Sequence, residues 1–117
     1  MKLNRRNFIS ASAGIAATIS SPMVFGASRP KVVVIGGGAG GATAARYIAK
    51  DSKGAIDVTL VEPTRSYYTC FFSNLYLGGF RDFDSIGHSY GKLASDYGIN
   101  VVHDWAVDVD SSGKTVS

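Results

Sequence analysis

Apolar positions in this chain fall into short runs separated by glycine-rich and polar stretches. Val32 to Ile35 form an uninterrupted β-branched run, the composition of a strand buried on both faces of a parallel sheet. Residues 42–50 have the composition of a helix packed on that sheet, and Asp57 to Val61 make a second apolar run that ends at Glu62. The order strand, helix, strand predicts a βαβ unit within an α/β fold. Pro63 to Phe83 reads as loop-rich. A helix is expected from Ser85 to Tyr97, capped by Asp84 or Ser85 at its start and by Gly98 at its end. Strands are expected at Ile99–His103 and Trp105–Val109, after which residues 110–114 turn back toward Thr115 and Val116. The chain stops as that return strand begins, so the expected domain is a truncated doubly wound sheet.

Between the first strand and the helix stand Gly36, Gly38 and Gly41, in G-x-G-x-x-G spacing. Gly36 permits the tight turn out of the strand, Gly38 allows bare backbone to approach a pyrophosphate, and Gly41 lets the helix lie close to the strand. The loop, with Ala39 and Gly40, opens a helix N-terminus whose free N–H groups and positive dipole end attract phosphate. Fourteen glycines in 117 residues produce chance matches to such a pattern. Here the flanking strand and helix, and a carboxylate about twenty residues on, match the dinucleotide-binding fingerprint. Glu62 can accept hydrogen bonds from ribose hydroxyls and would repel a 2′-phosphate.

Charge and composition alter the picture mainly at the N-terminus. Arg5 and Arg6 precede a weakly apolar Ala/Ser/Gly/Ile run that ends near Gly26 and Ala27. Residues 1–26 therefore read as a twin-arginine export signal, with Ala27 to Pro30 as a linker and a periplasmic destination. The run from Phe8 to Phe25 is too short, too rich in serine and too interrupted by Pro22 for a membrane span. Lys2, Arg5 and Arg6 carry the whole net charge of +3, leaving nine basic against nine acidic residues. The basic balance thus belongs to the targeting segment and gives no reason to expect a nucleic-acid partner. The chain has one cysteine, so no internal disulfide forms, and no Cys/His cluster has metal-ligand spacing.

That cysteine, Cys70, follows Pro63 within the block Tyr67-Tyr68-Thr69-Cys70-Phe71-Phe72. The eight residues from Glu62 to Cys70 span at most about 26 Å of extended chain. This is enough to run from an adenosine ribose to the redox-active end of an extended dinucleotide. With FAD bound, the thiolate could attack the 8α-methyl carbon of the flavin ring. Spacing alone leaves a second reading open, in which Cys70 is a small buried filler among aromatic residues. Trp105 reads as core, Arg65 as a member of an exposed ion pair, and His88 and His103 as ordinary histidines without a relay role.

The glycine loop, Val58-Thr-Leu-Val-Glu-Pro63, the Tyr-Tyr-Thr-Cys block and Gly78-Gly79 together resemble the flavoprotein subunit of flavocytochrome c sulfide dehydrogenase. The resemblance runs from about Lys31 to the end of the chain. It implies a Rossmann-like FAD-binding unit of the type found in flavoproteins with two dinucleotide-binding domains. It also implies FAD carried on Cys70 by an 8α-S-cysteinyl bond, and a backbone contact to adenine near Ala106. The expected cofactor-binding set is Gly36, Gly38, Ala39, Gly40, Gly41, Glu62, Pro63, Cys70 and Ala106, with no catalytic residue and no metal. By the same resemblance, sulfide attacks a cysteine disulfide over the flavin, and a c-type cytochrome subunit accepts the electrons. That disulfide is not in this chain, so the isolated chain is expected to be inactive toward sulfide. The alternatives are a sulfide:quinone reductase-like or NADH dehydrogenase-like flavoprotein with non-covalent FAD, and a non-catalytic dinucleotide-binding fragment. A simple NAD-dependent dehydrogenase fits an export signal poorly.

Overall fold

A computed structural model describes residues 28–117. The expected export signal, and Ala27 of the linker, lie outside the described residues. A parallel sheet in the order β1-β2-β5 forms the centre, built from β1 (Lys31–Ile35), β2 (Asp57–Val61) and β5 (Asn100–Val102). Helix α1 (Ala39–Ser52) links β1 to β2. The predicted βαβ unit is therefore present, with the helix three residues longer at its start than its composition suggested.

Side-chain alternation decides what lies under α1. The register pairs Val32 with Val58 and Val34 with Leu60, so these residues share one face. Val58 and Leu60 are buried there against Ala45 and Ala49, which are one helical turn apart on α1. Their small side chains let the helix approach the sheet closely. Tyr90 and Ile99 complete this core. The other face differs from expectation: Val33 is 45% and Ile35 52% exposed. The apolar run of β1 is thus only partly covered on its second face among the described residues, because β6 (Val109–Asp110) and β7 (Thr115–Val116) form a separate two-stranded sheet.

Residues 63–90 hold more structure than a loop. Strand β3 (Ser66–Tyr68) pairs antiparallel with β4 (Gly87–Ser89), and α2 (Ser73–Leu77) with a 3₁₀ turn at Phe83–Ile86 lie between them. The expected helix from Ser85 to Tyr97 is corrected accordingly. Gly87 to Ser89 are drawn into the hairpin, and only α3 (Gly91–Tyr97) is helical. Neither Asp84 nor Ser85 caps α3; Tyr90 stands at its N-cap, and Gly98 closes it in the left-handed conformation, as expected. Tyr68 faces Gly87 across the ladder, and a Cβ on Gly87 would come within 3.0 Å of its ring. A bare backbone at Gly87 is what admits the aromatic strand.

The expected strand at Trp105–Val109 shrinks to β6 (Val109–Asp110), paired with β7 (Thr115–Val116). The Val107 and Asp108 N–H groups both go to the Ser117 carbonyl, at 2.6 and 3.2 Å, and local carboxylates take two neighbouring amides. Asp104 accepts the Trp105 N–H at 2.8 Å and Asp108 accepts the Val109 N–H at 2.8 Å. Trp105 is 72% exposed and is not a core residue. The ion pair among the described residues joins Arg29 to Asp57 at 3.3 Å and does not involve Arg65. No helix among them is long and apolar enough to cross a membrane.

Candidate cofactor-binding site

The glycine loop sits where β1 meets α1, and its glycines have separate steric reasons. Gly36 has φ +95°, a conformation that favours glycine, while its N–H continues the ladder to the Val61 carbonyl at 2.9 Å. A Cβ on Gly41 would collide with the Gly36 carbonyl oxygen, so glycine here is what lets α1 pack against the turn. Gly38 is the N-cap of α1, and Cβ atoms built on Gly38 and Gly40 meet little or nothing of the protein. Packing therefore does not require glycine at these two positions.

Glu62, at the end of β2, is bonded directly to this loop. Its Oε2 accepts the Gly37 N–H at 2.7 Å, and its Oε1 accepts both the Thr64 N–H at 3.0 Å and the Thr64 hydroxyl at 2.6 Å. The Thr64 hydroxyl bond is the largest of the effects that hold the carboxyl below its usual range. Partial burial opposes it, while the two N–H bonds and His103 add to it. A carboxylate has about four acceptor positions, so three protein donors leave one on Oε2 for a ribose hydroxyl. His103 Nδ1 lies 3.0 Å from the Glu62 carbonyl oxygen, which makes that nitrogen the protonated one.

From the start of α1 a groove of about 470 Å³ extends past Ala39, Ala42 and Thr43 to Tyr67, Thr69, Phe71 and Arg81. Within its lining, Arg81 lies 5.4 Å over the Phe72 ring. Cys70 is exposed between Thr69 and Phe71, which both line the groove. The buried-filler reading of Cys70 is thereby removed. Its loop is held by its own hydrogen bonds: the Thr69 hydroxyl oxygen accepts the Phe71 N–H, and the Cys70 carbonyl accepts the Ser73 N–H and hydroxyl. Phe72 adopts φ +66°, a costly conformation for a bulky residue, in making this turn.

The structure brings Gly36, Gly38, Ala39, Gly40, Gly41 and Glu62 into one cluster. Pro63 is half-buried beside it. Cys70 stands in sequence between two residues that line the groove, and Ala106 lies apart, in a separate cavity of about 310 Å³ with Val33, Val61 and Val102. Sequence reasoning missed Gly37 and Tyr90. Tyr90 is 5% exposed and its hydroxyl donates to the Gly37 carbonyl at 3.0 Å. A Cβ on Gly37 would come within 2.6–2.7 Å of the Tyr90 ring and hydroxyl. The one available signal was a third consecutive glycine that the fingerprint does not require.

This arrangement fits a dinucleotide: bare backbone at a helix N-terminus, an acid with one acceptor position free, and a groove that starts at Ala39 in the first turn of α1. Residues 30–117 match the family model described as pyridine nucleotide-disulphide oxidoreductase. The chain is 54% identical over 44 residues to the sulfide dehydrogenase [flavocytochrome c] flavoprotein chain of Chlorobaculum thiosulfatiphilum, a match covering 38% of this chain and 90% of that sequence. Among solved structures, the sulfide:quinone oxidoreductase of Aquifex aeolicus aligns with a TM-score of 0.65 and 26% identity over 75% of this chain. The chain spans 20% of that enzyme's length. The doubly supported fold and the narrower match agree, and the chain belongs to the pyridine nucleotide-disulphide oxidoreductase family, as an FAD-binding flavoprotein of the flavocytochrome c sulfide dehydrogenase kind.

Proposed function

We propose that this chain is the FAD-binding part of a periplasmic sulfide:cytochrome c oxidoreductase flavoprotein, exported by the twin-arginine route, with FAD tethered through Cys70. The observation that supports the tether is the exposed Cys70 standing in sequence between Thr69 and Phe71, which line a groove that reaches Ala39 at the start of α1. In this reading the N–H groups of Gly38, Ala39 and Gly40 receive the pyrophosphate, helped by the α1 dipole. Glu62 accepts a ribose hydroxyl, Pro63 borders the ribose, and Ala106 offers backbone to adenine. Tyr67 and Phe71 exclude water along the groove. Bound FAD supplies two-electron acceptance from the donor and one-electron release to the acceptor.

Cys70 would hold the flavin by an Sγ–8α carbon bond formed at the expense of the thiol hydrogen and one methyl hydrogen. This is a two-electron oxidation releasing two protons, with the two electrons passed one at a time to two one-electron acceptors such as oxidised c-type haems. Sulfide is the donor in the assembled protein, and a c-type cytochrome subunit is the partner. The isolated chain, with a single cysteine, does not oxidise sulfide by itself. A second reading, non-covalent FAD as in a quinone-reducing enzyme, draws on the likeness to sulfide:quinone oxidoreductase. Denaturing electrophoresis of the periplasmic fraction under acid separates the two. A flavin-fluorescent band with a mass increased by one FAD less two hydrogens, lost in Cys70→Ala, supports the tether. Flavin released into the acid supernatant supports the second reading.

A further inference from the structure

Tyr90 lies 53 residues from Gly37 in sequence, yet its hydroxyl donates to the Gly37 carbonyl. On the other side of the same residue, Glu62 accepts the Gly37 N–H. Both polar groups of Gly37 are therefore held by side chains, one from the end of β2 and one from the start of α3. The phenol is anchored in turn. Its ring belongs to the core with Ala45, Ala49, Leu60 and Ile99, and the His103 ring lies 6.1 Å from it.

The geometry matters because of the peptide that follows. The Gly37 carbonyl and the Gly38 N–H belong to one planar trans peptide, so they point in opposite directions. We infer that Tyr90 is a positioning residue of the dinucleotide site: by holding the Gly37 carbonyl toward the core, it turns the Gly38 N–H away from the core, toward the pyrophosphate. This rests on the dinucleotide reading above. It also accounts for the extra glycine, since the Tyr90 ring occupies the space where a Gly37 side chain would stand. The phenol keeps its proton across the working range, because burial pushes it up and the Glu62 charge adds to this, against a smaller opposing contribution from the Thr64 hydroxyl.

The test uses the full chain in a Cys70→Ala background, so that every ligand binds reversibly, and compares Tyr90 with Tyr90→Phe. The ring is retained, so the core stays filled. ADP carries the pyrophosphate and adenosine does not. The expected result is about tenfold weaker ADP binding in Tyr90→Phe with adenosine binding unchanged. A displaced Gly38 amide resonance in the ligand-free chain, and a thermal midpoint close to that of the parent, are expected alongside. Equal ADP affinity, or equal weakening for ADP and adenosine, overturns the inference, as does an unmoved Gly38 resonance. FAD binding is measured separately. A chain that binds ADP in a Tyr90-dependent way but not FAD would keep the inference and sink the flavin assignment.

Discussion

The glycine loop, which leads into Ala39 of the groove, and the cysteine loop, whose Thr69 and Phe71 line it, are held in different ways. The glycine loop is tied to the core by Gly41 against Gly36, by Glu62 on the Gly37 N–H and by Tyr90 on the Gly37 carbonyl. The cysteine loop hangs from the β3–β4 ladder, which Thr69 extends by donating its N–H to the Ile86 carbonyl at 3.0 Å. Beyond that it is held by short-range bonds at Thr69, Cys70 and Ser73, with Phe71, Phe72, Leu77 and Phe80 around it exposed. The contrast teaches that the phosphate end is preformed by tertiary packing. The cysteine end is anchored at Thr69 by the β3–β4 ladder, is shaped locally beyond it, and presents apolar surface that further contacts would cover.

The sharpest way to break this contrast is at the core beneath the glycine loop. Leu60 is fully buried, so Leu60→Ala should cost about 2–5 kcal/mol. Urea unfolding measures this, and a cost below about 1 kcal/mol would contradict the packing described here. Gly41→Ala comes next, at about 1–3 kcal/mol, because its Cβ meets backbone that must shift. Loss of ADP binding should accompany it, and unaltered binding with unaltered stability would count against the close approach of α1.

Acid should also separate the two ends. The Glu62 carboxyl is held below its usual range, so the folded state binds its proton less readily than the unfolded chain. Its contribution is fully present above the unfolded value of roughly 4.3, and is lost as pH falls through the lower folded value. Glu62→Gln should flatten this part of the stability profile measured by urea midpoints. Parallel profiles for the two chains would show that the carboxylate contributes nothing there. The smallest stability effect belongs to Cys70→Ser, expected within about 0.5 kcal/mol because the side chain is exposed. That substitution should nonetheless abolish acid-stable flavin fluorescence, and a band retained in the variant would place any tether elsewhere.

Much of the glycine-loop end was legible in the chain, because its determinants are local. A β-branched run, a glycine turn and an alanine-rich helix each act within a few residues, and their order dictates the βαβ unit. Even so, the β1 run read as buried on both faces, and its second face is only partly covered among the described residues. The segment from Ser85 to Tyr97 misled for a different reason. Its composition suits a helix, but Gly87 to Ser89 find their hydrogen bonds in Ser66 to Tyr68, some twenty residues away. Helix propensity is a weak preference that such pairing overrides.

By itself, then, the sequence determined the strand-helix-strand order, the turn at Gly36, the close packing at Gly41 and the placing of an acid at the end of β2. Each depends on backbone freedom or side-chain period within one unit. Only the tertiary structure decided that Gly37 is gripped from two sides, that Tyr90, outside the fingerprint, joins Glu62 in holding the loop, and that Cys70 is exposed between two groove-lining residues. These outcomes depend on which distant segments meet, and short-range patterns carry no record of that.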